Sequence, residues 1–292
     1  MPLADLPGST TGPDAAVVRV LSYNIRSMRD DREALARVIR ACAPDVVCVQ
    51  EAPRFFRWRK AAAWLARETD LVYTTGGATA AGPMILTSLR AHVERAEDTL
   101  LPRVPGLHRR GFATAVLRFG GGHRDTPLRD TPLRDARLRD PGRTDSGLRD
   151  SGHPENGGGN GVRLGVVSCH LSLAAAERYE QAGMLLDHLT ALDVPYAIAA
   201  GDINDRPDGR AFRRIAGKLR DGWATEPWGS EATFSPKDPQ QRIDGIFASE
   251  GIEIIGCGVP AGLPGVTDAD LRAATDHLPV LAALRLPRVS PV

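Results

Sequence analysis

Eight short runs rich in Val, Ile and Leu punctuate this chain, at 17–23, 46–49, 84–86, 113–119, 164–169, 197–200, 243–248 and 278–286. Runs this short, β-branched and bounded by turn residues read as buried strands rather than helices. Helical patterns lie between several of them. Asp30 and Asp31 can cap a helix that sets Leu35, Val38 and Ile39 on one face and ends at Pro44. Pro53 suits the first turn of a helix through Trp64 and Leu65, while Tyr179, Ala182, Leu186 and Leu189 make a third stripe and Phe212, Ile215, Ala216 and Leu219 a fourth. Strands and helices interspersed in this way predict a layered α/β or α+β domain.

The runs carry a second regularity. VVRVLSYN ends at Asn24, DVVCVQE at Glu51, LGVVSCH at His170 and AIAAGDIN at Asp202 and Asn204; RIDGIF opens on Asp244, and TDHLPVLAAL on Asp276 and His277. Each residue taken singly has a structural explanation as a turn cap or a hydrogen-bonded rim residue. Packed sheets share rims, however, so strand ends distant in sequence can converge on one cleft. What would converge is rich in oxygen. The carboxylates of Glu51, Asp202 and Asp276 with the amides of Asn24 and Asn204 suit Mg²⁺ or Mn²⁺, whereas Zn²⁺ favours His and Cys. His170 and His277 add proton transfer near neutral pH, and Asp244 is the candidate carboxylate to fix the tautomer of one of them. Such a set suits hydrolysis of a phosphate ester.

Composition bounds the rest. With 292 residues and 42% hydrophobic content the chain lies outside the collagen-like, disordered and coiled-coil classes, and its length allows one large domain or two. Lys and Arg number 37 against 36 Asp and Glu, so the chain lacks the global positive field of an avid nucleic-acid binder; a local basic groove remains open. No leader-like apolar run precedes Val17, and the expectation is a soluble, cytoplasmic protein without a membrane span or an obligate protein partner. Cys42, Cys48, Cys169 and Cys257 show no CxxC spacing, against zinc or disulfide frameworks. From 120 to 161 the chain repeats in pentads such as TPLRD, with seven Arg balanced by six Asp and Glu155, which predicts a disordered insertion.

LSYNIR, VVCVQE, SCHL, GDIN, RIDGIF and TDHLPV, in this order, resemble the motifs of the endonuclease/exonuclease/phosphatase superfamily, which includes nucleases, inositol-polyphosphate phosphatases and sphingomyelinases. The resemblance covers one domain over 17–286, interrupted by 120–161, with 1–16 and 287–292 as flexible ends. It implies an α+β fold: a four-layer α/β/β/α sandwich of two packed mixed β-sheets, DNase I-like. It also implies a Mg²⁺- or Mn²⁺-dependent, nuclease-like hydrolase acting on a phosphodiester, with nucleic acid among the candidate substrates. By the same resemblance Glu51 binds the metal, with Asn24 and Asp276 as further ligands, Asp276 otherwise supporting the histidine. Asn24 and Asn204 position phosphate and water, Asp202 helps activate the nucleophile, His277 oriented by Asp244 acts as base or phosphate contact, and His170 stabilises the transition state. Which of Asp202 and His277 is the general base stays open. Arg110, in HRRGF, is either a phosphate contact or a solvated arginine at a strand start. Leu89 intervenes between Ser88 and Arg90, so no role passes to Arg90. The absence of a Cys-Asp-Arg pattern at RIDGIF speaks against phosphoinositides. The runner-up is a lipid or small-molecule phosphodiesterase or phosphomonoesterase, followed by a non-catalytic binding module.

Overall fold

The computed structural model describes residues 5–120 and 161–288. In chain order the elements are β1 (Thr10–Thr11), β2 (Ala15–Asn24), α1 (Arg32–Cys42), β3 (Val46–Gln50), α2 (Trp58–Glu68), β4 (Val72–Gly76), β5 (Met84–Thr87), β6 (Ala91–Leu100), β7 (Gly111–Phe119), β8 (Val162–His170), α3 (Ala175–Thr190), β9 (Tyr196–Asp202), α4 (Arg210–Ala216), β10 (Arg220–Asp221), α5 (Gly222–Thr225), β11 (Asp244–Ala248), β12 (Glu253–Gly258), α6 (Asp268–Ala274) and β13 (Val280–Pro287). All eight apolar runs are strands.

They form two sheets, one in the order β12-β13-β2-β3-β5-β4 with β1 against β2, the other in the order β10-β11-β9-β8-β7-β6. Each is mixed. The β2–β3 and β8–β9 pairs are parallel, bridged by α1 and α3, and the remaining ladders are antiparallel. Val18, Val20, Val46 and Cys48 of the first sheet pack against Ala113, Ala115, Val166 and Ile198 of the second. Leu35, Ile39, Leu65 and Leu271 bring α1, α2 and α6 onto the first sheet's outer face, and Ala182, Leu185, Phe212 and Ile215 bring α3 and α4 onto that of the second. Strands covered on both faces must be apolar at successive positions, which is why they read as continuous runs. The result is a four-layer α/β/β/α sandwich. Ser168 Oγ ties the layers together by donating across the inter-sheet gap to the Val49 carbonyl at 2.9 Å.

Local chemistry sets the helix ends. The Asp31 carboxylate accepts from the Ala34 N–H at 2.9 Å, and Ala43 leaves α1 in the left-handed region, just before Pro44. Helix α2 begins at Trp58, not near Pro53, because residues 51–57 form a loop whose ends, Glu51 and Arg57, both have left-handed backbones. In α3 the buried positions are Gln181, Ala182, Gly183, Leu185 and Leu189; Tyr179 and Leu186 are only partly covered. Leu219 lies beyond the end of α4.

Within the segment expected as a flexible lead-in, Leu6 is buried in the first outer core, Ser9 donates to Asp45, and Thr10–Thr11 pairs with β2. At the other end, Pro287 still belongs to β13, and its carbonyl accepts from the Tyr196 hydroxyl at 2.9 Å. The expected disordered repeat lies, but for Gly120 and Gly161, outside the described residues. Its two ends meet, since Phe119 pairs with Val162 across the β7–β8 ladder. Among the described residues no helix is long and apolar enough to cross a membrane.

Candidate active site

Strand register alone brings the carboxylates and imidazoles together. In the second sheet His170 lies opposite Asp202, which lies opposite Asp244, so three neighbouring strands present one row at the same rim. In the first sheet Asn24 lies opposite Gln50, with Glu51 next along the chain. These rims face one another around a cleft of ≈ 580 Å³ whose lining includes Glu51, Arg110, His170, Asp202, Asn204 and His277.

Asp202 is its centre. One carboxylate oxygen accepts from the Asn204 N–H at 2.9 Å; the other accepts from Asn24 Nδ2 at 3.1 Å and lies 3.4 Å from His170 Nε2 and 3.8 Å from His277 Nε2. Asn204 reaches this position through a left-handed backbone, which Asn tolerates better than most residues, and its side-chain amide anchors to the Leu171 carbonyl at 2.9 Å. Burial and the neighbouring Asp244 charge push the Asp202 carboxyl up to about 7, against the opposing pull of His277, the Asn204 N–H and Asn24.

Asp244 holds His277. Its Oδ2 lies 2.9 Å from His277 Nδ1, and both side chains are buried. Buried Thr233 steadies the start of β11, its hydroxyl accepting from the N–H groups of Ile243 and Asp244. The Phe234 ring packs 5.0 Å from the imidazole. Burial alone would lower the His277 pKa. The ion pair with Asp244, helped by Asp202 and Asp276, outweighs it and raises the ring to about 10. His170 goes the other way, held well below its ordinary value by burial and by the positive charges of Arg110, His277 and Arg54. At neutral pH the cleft therefore holds one charged and one neutral imidazole on the same carboxylate.

The structure brings together Asn24, Glu51, Arg110, His170, Asp202, Asn204, Asp244 and His277. It does not bring in the Asp276 carboxylate, which pairs with Arg26 at 3.2 Å and reaches His277 only through its field. Arg110 is 9% exposed and lines the cleft, which removes the reading of a solvated strand-start residue. Arg90 pairs with Asp45 at 2.8 Å, outside the cleft lining. Ser27, Arg54, His108, Phe234 and Gln241 also line the cleft, and none of them stands out in the sequence as a site residue. Only His108 carried a signal, two residues before Arg110.

Among the described residues two places in the cleft offer ligand atoms to a hard cation. Asp202, Asp244 and His277 offer ligand atoms within 4.8 Å of one another, but His277 Nδ1 and Asp244 Oδ2 are committed to their mutual bond. Glu51 is different: half-buried on the cleft wall, it accepts, among the described residues, a single long hydrogen bond of 3.4 Å from Asn24. An open carboxylate beside an amide is the oxygen chemistry that Mg²⁺ or Mn²⁺ prefers.

A model of the Endonuclease/Exonuclease/phosphatase family matches residues 21–277. Similar solved structures include an endonuclease/exonuclease/phosphatase from Bacteroides vulgatus, 17% identical with a TM-score of 0.63 over 92% of this chain and 99% of that one. A mannosyl-6-phosphatase from Bacteroides thetaiotaomicron is 16% identical, TM-score 0.64, over 91% and 99%. A truncated Caenorhabditis elegans TDP2 is 15% identical, TM-score 0.59, over 92% and 97%. No curated protein matches the chain in sequence. At such identities the solved structures speak for the fold alone, and it is the family match, running across both sheets and every strand end that feeds the cleft, that makes this chain a member of the endonuclease/exonuclease/phosphatase family.

Proposed function

We propose that the chain is a divalent-metal-assisted hydrolase of a phosphodiester, with Asp202 as the general base. The observation that carries this reading is the arrangement around Asp202: a buried carboxylate raised to about 7 and flanked by an imidazole raised to about 10. A group already protonated at neutral pH cannot accept a proton from water, so His277 is the donor and Asp202 the acceptor. Its Nδ1 proton fixed on Asp244, the His277 ring presents Nε2–H to the cleft, where it contacts a phosphoryl oxygen. Arg110 and Asn24 supply further donors, and Asn204 orients the water. Neutral His170 stabilises the charge that grows on the phosphoryl oxygens as the bond to the leaving oxygen breaks. Mg²⁺ or Mn²⁺ at Glu51 and Asn24 would neutralise charge on the phosphoryl and leaving oxygens.

One observation favours a phosphomonoester as the second reading. Arg54, Arg110 and His277 line a cleft whose lining carboxylates, among the described residues, are Glu51 and Asp202, a balance that suits a dianion. The purified chain is tested with Mg²⁺ or Mn²⁺ against bis-p-nitrophenyl phosphate, p-nitrophenyl phosphate, plasmid DNA, RNA, sphingomyelin and inositol phosphates. Metal-dependent diester turnover is expected. Full activity in excess EDTA, or turnover of monoesters alone, overturns the proposal.

A further inference from the structure

The loop from β3 to α2 leaves the cleft at Glu51, passes Arg54 on the cleft wall, and then exposes two phenylalanines. Phe55 is 80% and Phe56 87% exposed. Leu173, another residue of the cleft lining, is 72% exposed. Large apolar side chains left in water, two of them following a residue of the cleft wall in the chain and a third in the lining itself, mark a surface that meets something apolar. That partner is also anionic. Residues 54–60 read RFFRWRK, with four cationic side chains and no acidic one.

A lipid surface fits these groups better than a nucleic-acid strand. Bases stack on open ring faces, but the Arg54 guanidinium lies 5.9 Å from the Phe55 ring centre and that of Arg57 5.0 Å from Phe56. Leu173 offers no ring at all. Beside the cleft runs an apolar groove of ≈ 590 Å³, lined by Leu101, Val104, Leu107 and Met184 together with Glu177, Glu180 and Arg210, whose mixed charges make no basic track for a polyphosphate backbone. At a bilayer, by contrast, phenylalanine and leucine reach the boundary of headgroups and acyl chains, while arginines on flexible stems stay at the level of the lipid phosphates.

We infer that the cleft mouth docks on an anionic lipid surface through Phe55, Phe56 and Leu173, with Arg57, Arg59 and Lys60 against the headgroups. The cleft then opens toward the membrane, and its phosphoester is a membrane-borne one. The docking face stands independently of the cleft's chemistry, whereas the membrane-borne substrate rests on the phosphoesterase reading above.

The full chain is sedimented with phosphatidylcholine vesicles, with and without phosphatidylserine, beside a Phe55→Ser/Phe56→Ser variant, while turnover of soluble bis-p-nitrophenyl phosphate is followed in parallel. The wild type should bind the phosphatidylserine vesicles, and less so as salt rises. The variant should lose about tenfold or more of that binding and keep soluble turnover within about twofold, because the two rings lie outside the reacting cluster. Absence of vesicle binding, equal binding by the variant, or capture of a single-stranded oligonucleotide in place of vesicles with the same loss in the variant overturns the docking. Vesicle binding without any diester turnover would overturn the phosphoesterase reading and leave the docking face intact.

Discussion

Replacing Asp244 by Asn is the sharpest test of how the two buried ionisable groups divide their roles. The two side chains, 2.9 Å apart, are 2% and 7% exposed, so solvent screens their interaction little. The rise of the ring from 6.5 to about 10, at about 1.36 kcal/mol per pH unit, is on the order of 5 kcal/mol in favour of its charged form. Asparagine keeps the shape and removes the charge. Both effects of Asp244 that raise the ring then vanish, so it loses its proton at lower pH than in the wild type, and Asp202, no longer beside a second buried charge, titrates lower as well. Both limbs of the pH–rate profile should move to lower pH, and kcat should fall by roughly 10²–10⁴ for want of a positioned proton donor. Stability gives an independent readout. Because the folded ring binds its proton more tightly than the unfolded one, the pair's contribution is complete below about 6.5 and is lost as pH climbs toward about 10. The wild-type Tm should therefore fall across that window more steeply than the variant's. An Asp244→Asn chain with an unmoved alkaline limb and the same alkaline loss of Tm would refute the claim that Asp244 holds the proton on His277.

Three further outcomes follow from the same contacts. His277→Ala should lower turnover by roughly 10² or more, and adding Asp244→Asn should cost little beyond it, since the two act as one unit; a double defect equal to the product of the singles would show separate roles. Glu51→Gln should abolish the metal-dependent rate while circular dichroism and Tm stay close to wild type, and full activity in that variant would remove the proposed cation seat. Replacing 121–160 by a short turn should leave a folded chain with little change in Tm, because Phe119 and Val162 already pair and closure cost varies only logarithmically with loop length. Loss of folding on that deletion would show that the pentads pack.

The strands legible in the sequence are those buried on both faces. β6, AHVERAEDTL, is largely exposed at a sheet edge and carries alternating charges, so no apolar run betrays it; β4 has only its last two residues buried, and glycines interrupt β12. The site divides along the same line. Asn24, Glu51, His170, Asp202, Asp244 and His277 terminate or adjoin buried strands, whose registers leave little freedom in where those ends fall. Arg54 and His108 lie in irregular segments, and Phe234 and Gln241 meet in a single isolated bridge, so their places depend on loop paths that periodicity does not encode. Asp276 shows how a strand-end residue takes a partner that spacing does not name. It neighbours His277 in the chain, yet Arg26, held at positive φ just after β2, takes its carboxylate.

The central claim, that Asp202 is the base of a diester hydrolase, is tested most directly by Asp202→Asn. Asp202 is a buried carboxylate raised to about 7, so its ionised form destabilises the fold, and that penalty grows as pH rises from its ordinary 3.8 through about 7. The amide should relieve it while still facing Asn24 and the Asn204 N–H. Measured above neutral pH with Mg²⁺ and bis-p-nitrophenyl phosphate, the variant should show a Tm at or above wild type and a kcat lower by roughly 10² or more. A variant that hydrolyses the diester at the wild-type rate, or a wild type that never does under any divalent metal, would contradict the account.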